Sequence, residues 1–354
     1  MALELRHITK KQGADTHIYD TSISFSAGGF NVLLGATNAG KTTLIKLMAG
    51  LEKPTSGQIW MDGVNVTKLS TQKRNVSLVH QFFVNYPHMN VFENIASPLR
   101  VSGMAKSEIA GRVEEAADIL QLRPMLLRRP DELSGGQQQR CALARAIVKE
   151  SDLVLLDEPL ANLDYKLREE LRDQLPELFA GRKSIVIYAT SEPSEALLLG
   201  GQTATLHEGR VTQFGDTTSV YRTPADLTSA QAFSDPPMNT AKVVKSGPEI
   251  RLSDTVSWQA TGDVAGLSDG EYTVGIRPHF ISPLEGKDGS VGLNGTVLVT
   301  ELSGSESVAH FDIGGQSWVS QSPGVHPYRV GENHAFYMDP ARCYFFAPNG
   351  RVVG

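Results

Sequence analysis

The run Gly35-Ala36-Thr37-Asn38-Ala39-Gly40-Lys41-Thr42-Thr43 satisfies the pattern G-x-x-x-x-G-K-[ST], which works only where a strand turns into a helix. Both flanks are present. Phe30-Asn31-Val32-Leu33-Leu34 reads as a short buried strand running into Gly35. From Lys41 the apolar positions Leu44, Ile45, Leu47 and Met48 follow helical spacing, and Gly50 fits a C-cap. The glycines let backbone amides turn inward around a polyphosphate, and the helix N-terminus adds positive potential. Lys41 supplies a cation for the β- and γ-phosphates, and Thr42 offers a hydroxyl to Mg²⁺. Gly35, Ala36, Thr37, Asn38, Ala39, Gly40, Lys41, Thr42 and Thr43 are therefore the candidate binding residues for ATP. A chance glycine turn meets the pattern in about one chain in a hundred of this length, and the strand-helix context lowers that further.

A second half-site lies downstream. Leu153-Val154-Leu155-Leu156 is an apolar strand that ends in Asp157-Glu158. The strand delivers Asp157 to the Mg²⁺ shell and leaves Glu158 placed to polarise an attacking water, the role phosphoryl transfer demands of a side chain. An acidic pair at a strand end is weak evidence alone; beside the phosphate loop it is specific. ATP and Mg²⁺ are the expected cofactors.

The 354 residues exceed what one hydrophobic core usually organises, so two domains are expected. Leu3, Leu5 and Ile8 alternate as in a strand, a second strand covers 17–26, and Ser184-Ile185-Val186-Ile187-Tyr188 is a further core strand. The stretch 91–129 has helical spacing and reads as a helical insertion, and 165–179 as a charged amphipathic helix. Strands alternating with helices predict an α/β domain with a largely parallel sheet. Texture changes at Ser234-Asp235-Pro236-Pro237. Beyond it come short alternating runs broken by glycine, at 272–276, 295–301, 308–313 and 335–338, which predict a small all-β barrel.

No apolar run approaches the ~20 residues of a membrane span, and the first residues lack the apolar stretch of a signal peptide. Any membrane role is thus expected to come through a partner. A net charge of −6 argues against a surface that coats nucleic acid. Cys141 and Cys343 match no metal or redox spacing and read as packing thiols.

Between the two half-sites lies Leu133-Ser134-Gly135-Gly136-Gln137-Gln138-Gln139-Arg140. It resembles the signature of ABC ATPases, and the chain is identified as similar to ATP-binding subunits of the maltose/carbohydrate-importer family. The resemblance implies an α/β P-loop NTPase: an ABC ATPase with a RecA-like core and a helical subdomain at about 88–150, followed by a C-terminal all-β OB-like regulatory domain. The expected boundaries are 1–234 for the nucleotide-binding domain and 235–354 for the regulatory one. Val274-Gly275-Ile276-Arg277-Pro278, 301–306 and Asp339-Pro340 are the pieces of the second domain that resemble the family.

In that family two chains sandwich two ATPs, each site using one chain's phosphate loop and the other's signature. The resemblance thus assigns Ser134, Gly135, Gly136 and Gln137 to nucleotide held by a partner, through a helix N-terminus aimed at an anion. It places Gln81 where the family has the glutamine that reaches Mg²⁺ and the attacking water, so Thr42, Gln81 and Asp157 form the implied metal set. Tyr86-Pro87-His88-Met89-Asn90-Val91-Phe92-Glu93-Asn94-Ile95 resembles the surface that grips a permease, and Leu160-Ala161-Asn162-Leu163-Asp164 the D-loop. The implied partners are a second ABC ATPase subunit, two transmembrane permeases and, indirectly, a periplasmic binding protein, with no nucleic acid. The implied location is peripheral, on the cytoplasmic face of the inner membrane. Asn85-Tyr86-Pro87 together with 189–195 resembles the ATP-binding subunits of glycerol importers, which makes glycerol the leading cargo.

Two positions depart from the family. Ser191 stands where a switch histidine contacts the γ-phosphate, and a serine is too short to span that gap. By analogy with loss of one oxyanion donor, roughly 3 kcal/mol of transition-state stabilisation is missing. Gln12 stands where an aromatic stacks on adenine; Tyr19, His7 and His17 are the candidate substitutes. Intact Glu158, Gln81 and signature beside a degenerate Ser191 predict an asymmetric heterodimer. The alternatives are a complete homodimeric importer of a sugar or glycerol 3-phosphate, and a non-transport ATPase whose barrel binds nucleic acid. The latter wants clustered basic and aromatic residues, whereas Arg251, Arg277, Arg329, Arg342 and Arg351 are scattered.

Overall fold

The computed structural model describes residues 1–353 apart from 83, 162, 180, 287 and 288. It forms two compact units, Met1–Val220 and Tyr221–Gly354.

The first unit runs β1 (Ala2–Gln12), β2 (Asp15–Ser26), β3 (Phe30–Leu34), α1 (Lys41–Ala49), β4 (Ser56–Met61), β5 (Val64–Asn65) and β6 (Val76–Val79). It continues with α2 (Val91–Val101), α3 (Lys106–Ile119), α4 (Gly135–Val148), β7 (Leu153–Asp157), α5 (Tyr165–Phe179), β8 (Ile185–Thr190), α6 (Pro193–Leu199), β9 (Gln202–His207) and β10 (Arg210–Asp216). Six strands form one sheet in the order β10-β9-β3-β8-β7-β6. All its neighbours are parallel except the β9–β10 hairpin. Every residue of β3, β7 and β8 is buried, as a parallel sheet covered on both faces requires. This is why those segments are continuous apolar runs.

β1 and β2 do not join that sheet. They belong to a separate antiparallel sheet, β2-β1-β4-β5. Leu3, Leu5 and Ile8 of β1 share one buried cluster with Leu47 and Met48 of α1 and with Leu155 and Ile187 of the parallel sheet. Burial of each such side chain contributes about 1.5–3 kcal/mol. The helical insertion resolves into α2 and α3. α2 opens with a capping box: Asn90 accepts from the Glu93 amide at 2.8 Å, and Glu93 accepts from the Asn90 amide at 3.1 Å.

The second unit carries α7 (Thr217–Arg222, which straddles the division) and α8 (Leu227–Ala232), followed by ten strands. These are β11 (Asn239–Ser246), β12 (Glu249–Arg251), β13 (Ser257–Gln259), β14 (Gly270–Ile276), β15 (Ile281–Ser282), β16 (Val291–Leu302), β17 (Glu306–Ile313), β18 (Gln316–Pro323), β19 (Asn333–Met338) and β20 (Tyr344–Phe346). They pair antiparallel in two five-stranded sheets, β13-β12-β11-β14-β20 and β15-β19-β16-β17-β18. One cluster around Val274, Leu293, Phe311, Trp318 and Phe336 fills the space between them, which makes this unit the expected OB-like all-β domain. Residues 221–234, assigned to the first domain by texture, pack here instead. Ala230 is buried with Met238 and Phe346, and the Leu227 amide donates to the Gly350 carbonyl at 2.9 Å. Among the described residues no helix is long and apolar enough to cross a membrane.

Candidate nucleotide site

The phosphate loop is held by what its glycines cannot carry. A Cβ on Gly35 would lie 2.4 Å from the Leu206 carbonyl oxygen, so a side chain there collides with backbone. Gly40, the N-cap of α1, has φ 105°, in the left-handed region that favours glycine. Lys41 is only 4% exposed, and its ammonium donates to the carbonyls of Gly35 at 2.7 Å and Ala36 at 3.0 Å. The same nitrogen lies 3.3 Å from a Glu158 carboxylate oxygen. Thr37, Asn38, Ala39, Gly40, Lys41, Thr42 and Thr43 all line one cleft of about 570 Å³, with Gln81 and Glu158 also in its wall.

The strand-end acids occupy different environments. Asp157 is buried, and one of its oxygens accepts from the Thr42 hydroxyl at 3.1 Å. Its other oxygen is buried without a hydrogen-bond partner among the described residues. Burial pushes this carboxyl above its usual range, and the Thr42 bond and the His80 charge pull it back. A buried carboxylate oxygen left bare beside a hydroxyl is the donor set a hard divalent cation takes. Thr42 and Asp157 therefore fit Mg²⁺. Glu158 follows in a left-handed conformation, φ 48°, its amide donating to the Ala189 carbonyl at 3.0 Å. Gln81, two residues past β6, donates to the second Glu158 oxygen at 3.2 Å. The structure thus brings Lys41, Thr42, Gln81, Asp157 and Glu158 together.

Ser134, Gly135, Gly136 and Gln137 are elsewhere: none lines the cleft. Ser134 caps α4 in a reciprocal box with Gln137, at 3.0 and 3.3 Å, and is exposed. The helix is nonetheless wired to the cleft. Gln139 donates to the Pro159 carbonyl just past Glu158. Asn85 donates to the Gln138 carbonyl at 2.8 Å, and Arg145 donates to the Val84 carbonyl at 2.6 Å while lying 4.4 Å over the Tyr86 ring. Val84, Asn85 and Tyr86 are therefore fastened to the signature helix.

Ser191 is exposed, one residue past β8, where Thr190 pairs with Leu34 and accepts the Gly35 amide at 3.3 Å. Its neighbour Glu192 is held by Arg168 at 2.7 Å. Of the candidate base partners, His17 and Tyr19 line the cleft. His7 does not; it pairs with Asp20 at 3.2 Å on an exposed face. Gln12 does not line it either. In the D-loop segment Leu160 and Leu163 are buried and Asp164 caps α5 by accepting the Leu167 amide at 3.1 Å; Asn162 lies outside the described residues. Sequence reasoning missed Glu195, a buried carboxyl on α6 that accepts from the Thr190 hydroxyl at 2.6 Å and the Tyr188 hydroxyl at 2.9 Å. The sequence places Glu195 in the first turn of a short helix just after Ser191, and that proximity was its only signal.

The chain is similar to known proteins over nearly its whole length. The ABC transporter family model matches residues 18–161, and the TOBE domain model matches 274–346. The sn-glycerol-3-phosphate import ATP-binding protein UgpC of Yersinia enterocolitica is 37% identical over 349 residues, covering 97% of this chain and 96% of its own. Its namesake from Cupriavidus pinatubonensis is 35% identical over 366 residues, covering 99% of each. Among solved structures, a dimeric post-hydrolysis ATP-binding cassette bound to ADP and Pi superposes with a TM-score of 0.56 at 26% identity. That match covers 61% of this chain and 98% of the cassette. The chain belongs to the ABC transporter family, as the ATP-hydrolysing, ATP-binding subunit of an importer.

Proposed function

We propose that this ATPase drives uptake of a small polyol, glycerol or its sn-3-phosphate, with each ATP closed between the phosphate loop of one cassette and the Ser134–Gln137 helix end of another. The observation that carries the mechanism is the convergence of Lys41, Gln81 and Glu158 on one cleft while the signature lies outside it. A catalytic surface missing from a chain's own site is supplied by a second cassette. The related cassette described above is itself a dimer bound to ADP and Pi.

Thr42, Asp157 and Gln81 would hold Mg²⁺, which supplies charge neutralisation across the β- and γ-phosphates. Lys41 is already desolvated and needs only to trade its Glu158 contact for phosphate oxygens. Glu158, released from Lys41, orients the attacking water and receives its proton; Gln81 steers both. The Asn85–Gln138, Arg145–Val84 and Gln139–Pro159 bonds couple this chemistry to α4, so closure on a partner is felt at Glu158. The segment 86–95 docks a permease, which holds the chain at the cytoplasmic face of the membrane, and a periplasmic binding protein delivers cargo. The cargo class rests on the glycerol 3-phosphate import that the relatives are named for and on residues 85–87 and 189–195. Uptake of labelled glycerol and of sn-glycerol 3-phosphate by cells with and without this chain tests it. Unchanged uptake of both sinks the cargo assignment.

Ser191 favours a second reading, an asymmetric pair with a different ATPase in which this chain's own site turns over slowly. Its exposed hydroxyl is short, and Glu192 is committed to Arg168. Glu158→Gln and the equivalent change in the partner, made separately, test it. Equal losses of transport exclude asymmetry.

A further inference from the structure

We infer that the nucleobase is held on β2, by His17 and Tyr19, with the tip of the β9–β10 hairpin clamping this platform to the phosphate loop. The inference rests on the ATP-binding reading and deepens it. The position at which the family carries its base-stacking aromatic is here Gln12, exposed and outside the cleft wall. The cleft instead extends from the phosphate loop along β2, past Thr16, His17 and Tyr19.

Strand alternation puts His17 and Tyr19 on one face of β2 and Ile18 on the other. Ile18 is fully buried, and its Cδ1 would lie 2.9 Å from a Cβ on Gly40, so the strand is seated against the loop itself. The hairpin tip ties the two together. The Gly209 amide donates to the Ala39 carbonyl at 2.9 Å, and the Gly209 carbonyl accepts the Tyr19 amide at 2.9 Å. Only glycine serves there: φ is 77°, and a Cβ would lie 2.3 Å from the His17 carbonyl oxygen. Arg210, the next residue, lies 3.6 Å over the Tyr19 ring. A guanidinium at that distance fixes the ring plane. The result is a half-buried, pre-oriented aromatic beside an exposed imidazole, both in the wall of the cleft that the phosphate loop lines. A planar heterocycle attached to a triphosphate fits that arrangement by stacking, which tolerates any purine face.

The test is titration calorimetry of the full chain with Mg·ATP and, separately, with Mg·tripolyphosphate, which has no base. His17→Ala and Tyr19→Ala are each expected to weaken ATP about tenfold to a hundredfold and to leave tripolyphosphate unchanged. Tyr19→Phe keeps the ring and is expected to match wild type. His17 is exposed, so its variant keeps the question open to a decision even where Tyr19→Ala fails to fold. Unchanged ATP affinity in His17→Ala and Tyr19→Ala overturns the inference, and so does an equal loss of both ligands. A wild-type chain that binds neither ligand overturns the nucleotide reading itself, a result distinct from either.

Discussion

The Lys41 ammonium lies 3.3 Å from a Glu158 carboxylate oxygen, and the other oxygen of that carboxylate accepts from Gln81 at 3.2 Å. Lys41 opens α1, Glu158 ends the β7 segment and Gln81 follows β6, so three elements distant in sequence hand their side chains to one point. The lysine is nearly inaccessible, its ammonium held by two loop carbonyls and this carboxylate.

Glu158→Gln preserves shape and the Gln81 contact but removes the proton acceptor. Its turnover is expected to fall about 10²–10⁴-fold, without loss of Mg·ATP affinity. Phosphate release and equilibrium titration measure the two separately. A parallel loss of binding would mean that Glu158 is structural.

Ser191→His restores reach toward the γ-phosphate from the residue after β8. If the missing contact limits this chain's own site, turnover of the isolated chain rises about a hundredfold, the scale of one oxyanion donor. A turnover equal to that of wild type would show that the serine costs nothing.

Glu195→Gln probes the buried carboxyl under the switch segment. Burial raises its protonation range, while the Thr190 and Tyr188 hydroxyl bonds pull it back. A raised folded-state value means that the folded chain holds a proton the unfolded chain has released. The carboxyl's contribution to stability is therefore full below the ordinary glutamate range and is lost as pH rises through the raised value. The melting temperature of wild type minus that of Glu195→Gln is expected to shrink as pH rises above the ordinary glutamate range. A difference constant over that rise rules the titration out.

Gly35→Ala forces a methyl to 2.4 Å from a backbone carbonyl that cannot swing aside. The strand or the loop must move. The expected cost is about 1–3 kcal/mol of stability, seen in denaturant titration, together with loss of tripolyphosphate binding. Retained binding would show that the loop tolerates the shift.

Arg277→Lys tests the second unit. Arg277 is 2% exposed, donates to the Tyr344 hydroxyl at 2.8 Å and the Tyr221 carbonyl at 2.7 Å, and lies 3.9 Å over the Tyr221 ring. Lysine keeps the charge but lacks the planar fork. A loss of about 2 kcal/mol in the unfolding of that unit is expected; an unchanged transition would make the fork dispensable.

Much of the fold was legible because it is local. The phosphate loop, α1 with its Gly50 cap, α5 and the continuous apolar strands β3 and β7 are each written in adjacent residues. β4, β6 and β9 were not legible: β4 is mostly half-exposed, and β6 and β9, though largely buried, are short and interrupted by buried polar residues such as Ser77, Thr203 and Thr205, so none shows an apolar run or a clean alternation. The separate antiparallel sheet was hidden for another reason: alternation shows which face of β1 is buried, not which strand it pairs with. Residues 221–234 group with the second unit because packing of Ala230 against Phe346 decides membership of a core, whereas a proline-rich texture marks only a bend in the chain.

The sequence by itself determined the chemistry available: a loop for polyphosphate, an acid pair at a strand end, a signature helix, and a serine where a histidine is usual. The loop and the acid pair are one-dimensional facts, carried by residue type and spacing within single elements; the signature and the serine are legible only through the resemblance to the family. Only the tertiary structure decided that Gln81 meets Glu158, that one Asp157 oxygen is left bare beside Thr42, that Glu195 lies buried under Tyr188 and Thr190, and that Gly209 binds Ala39 to Tyr19. The reason is physical. Those contacts join segments far apart along the chain, and they exist only because burial of the apolar strands and helices fixes where each end emerges.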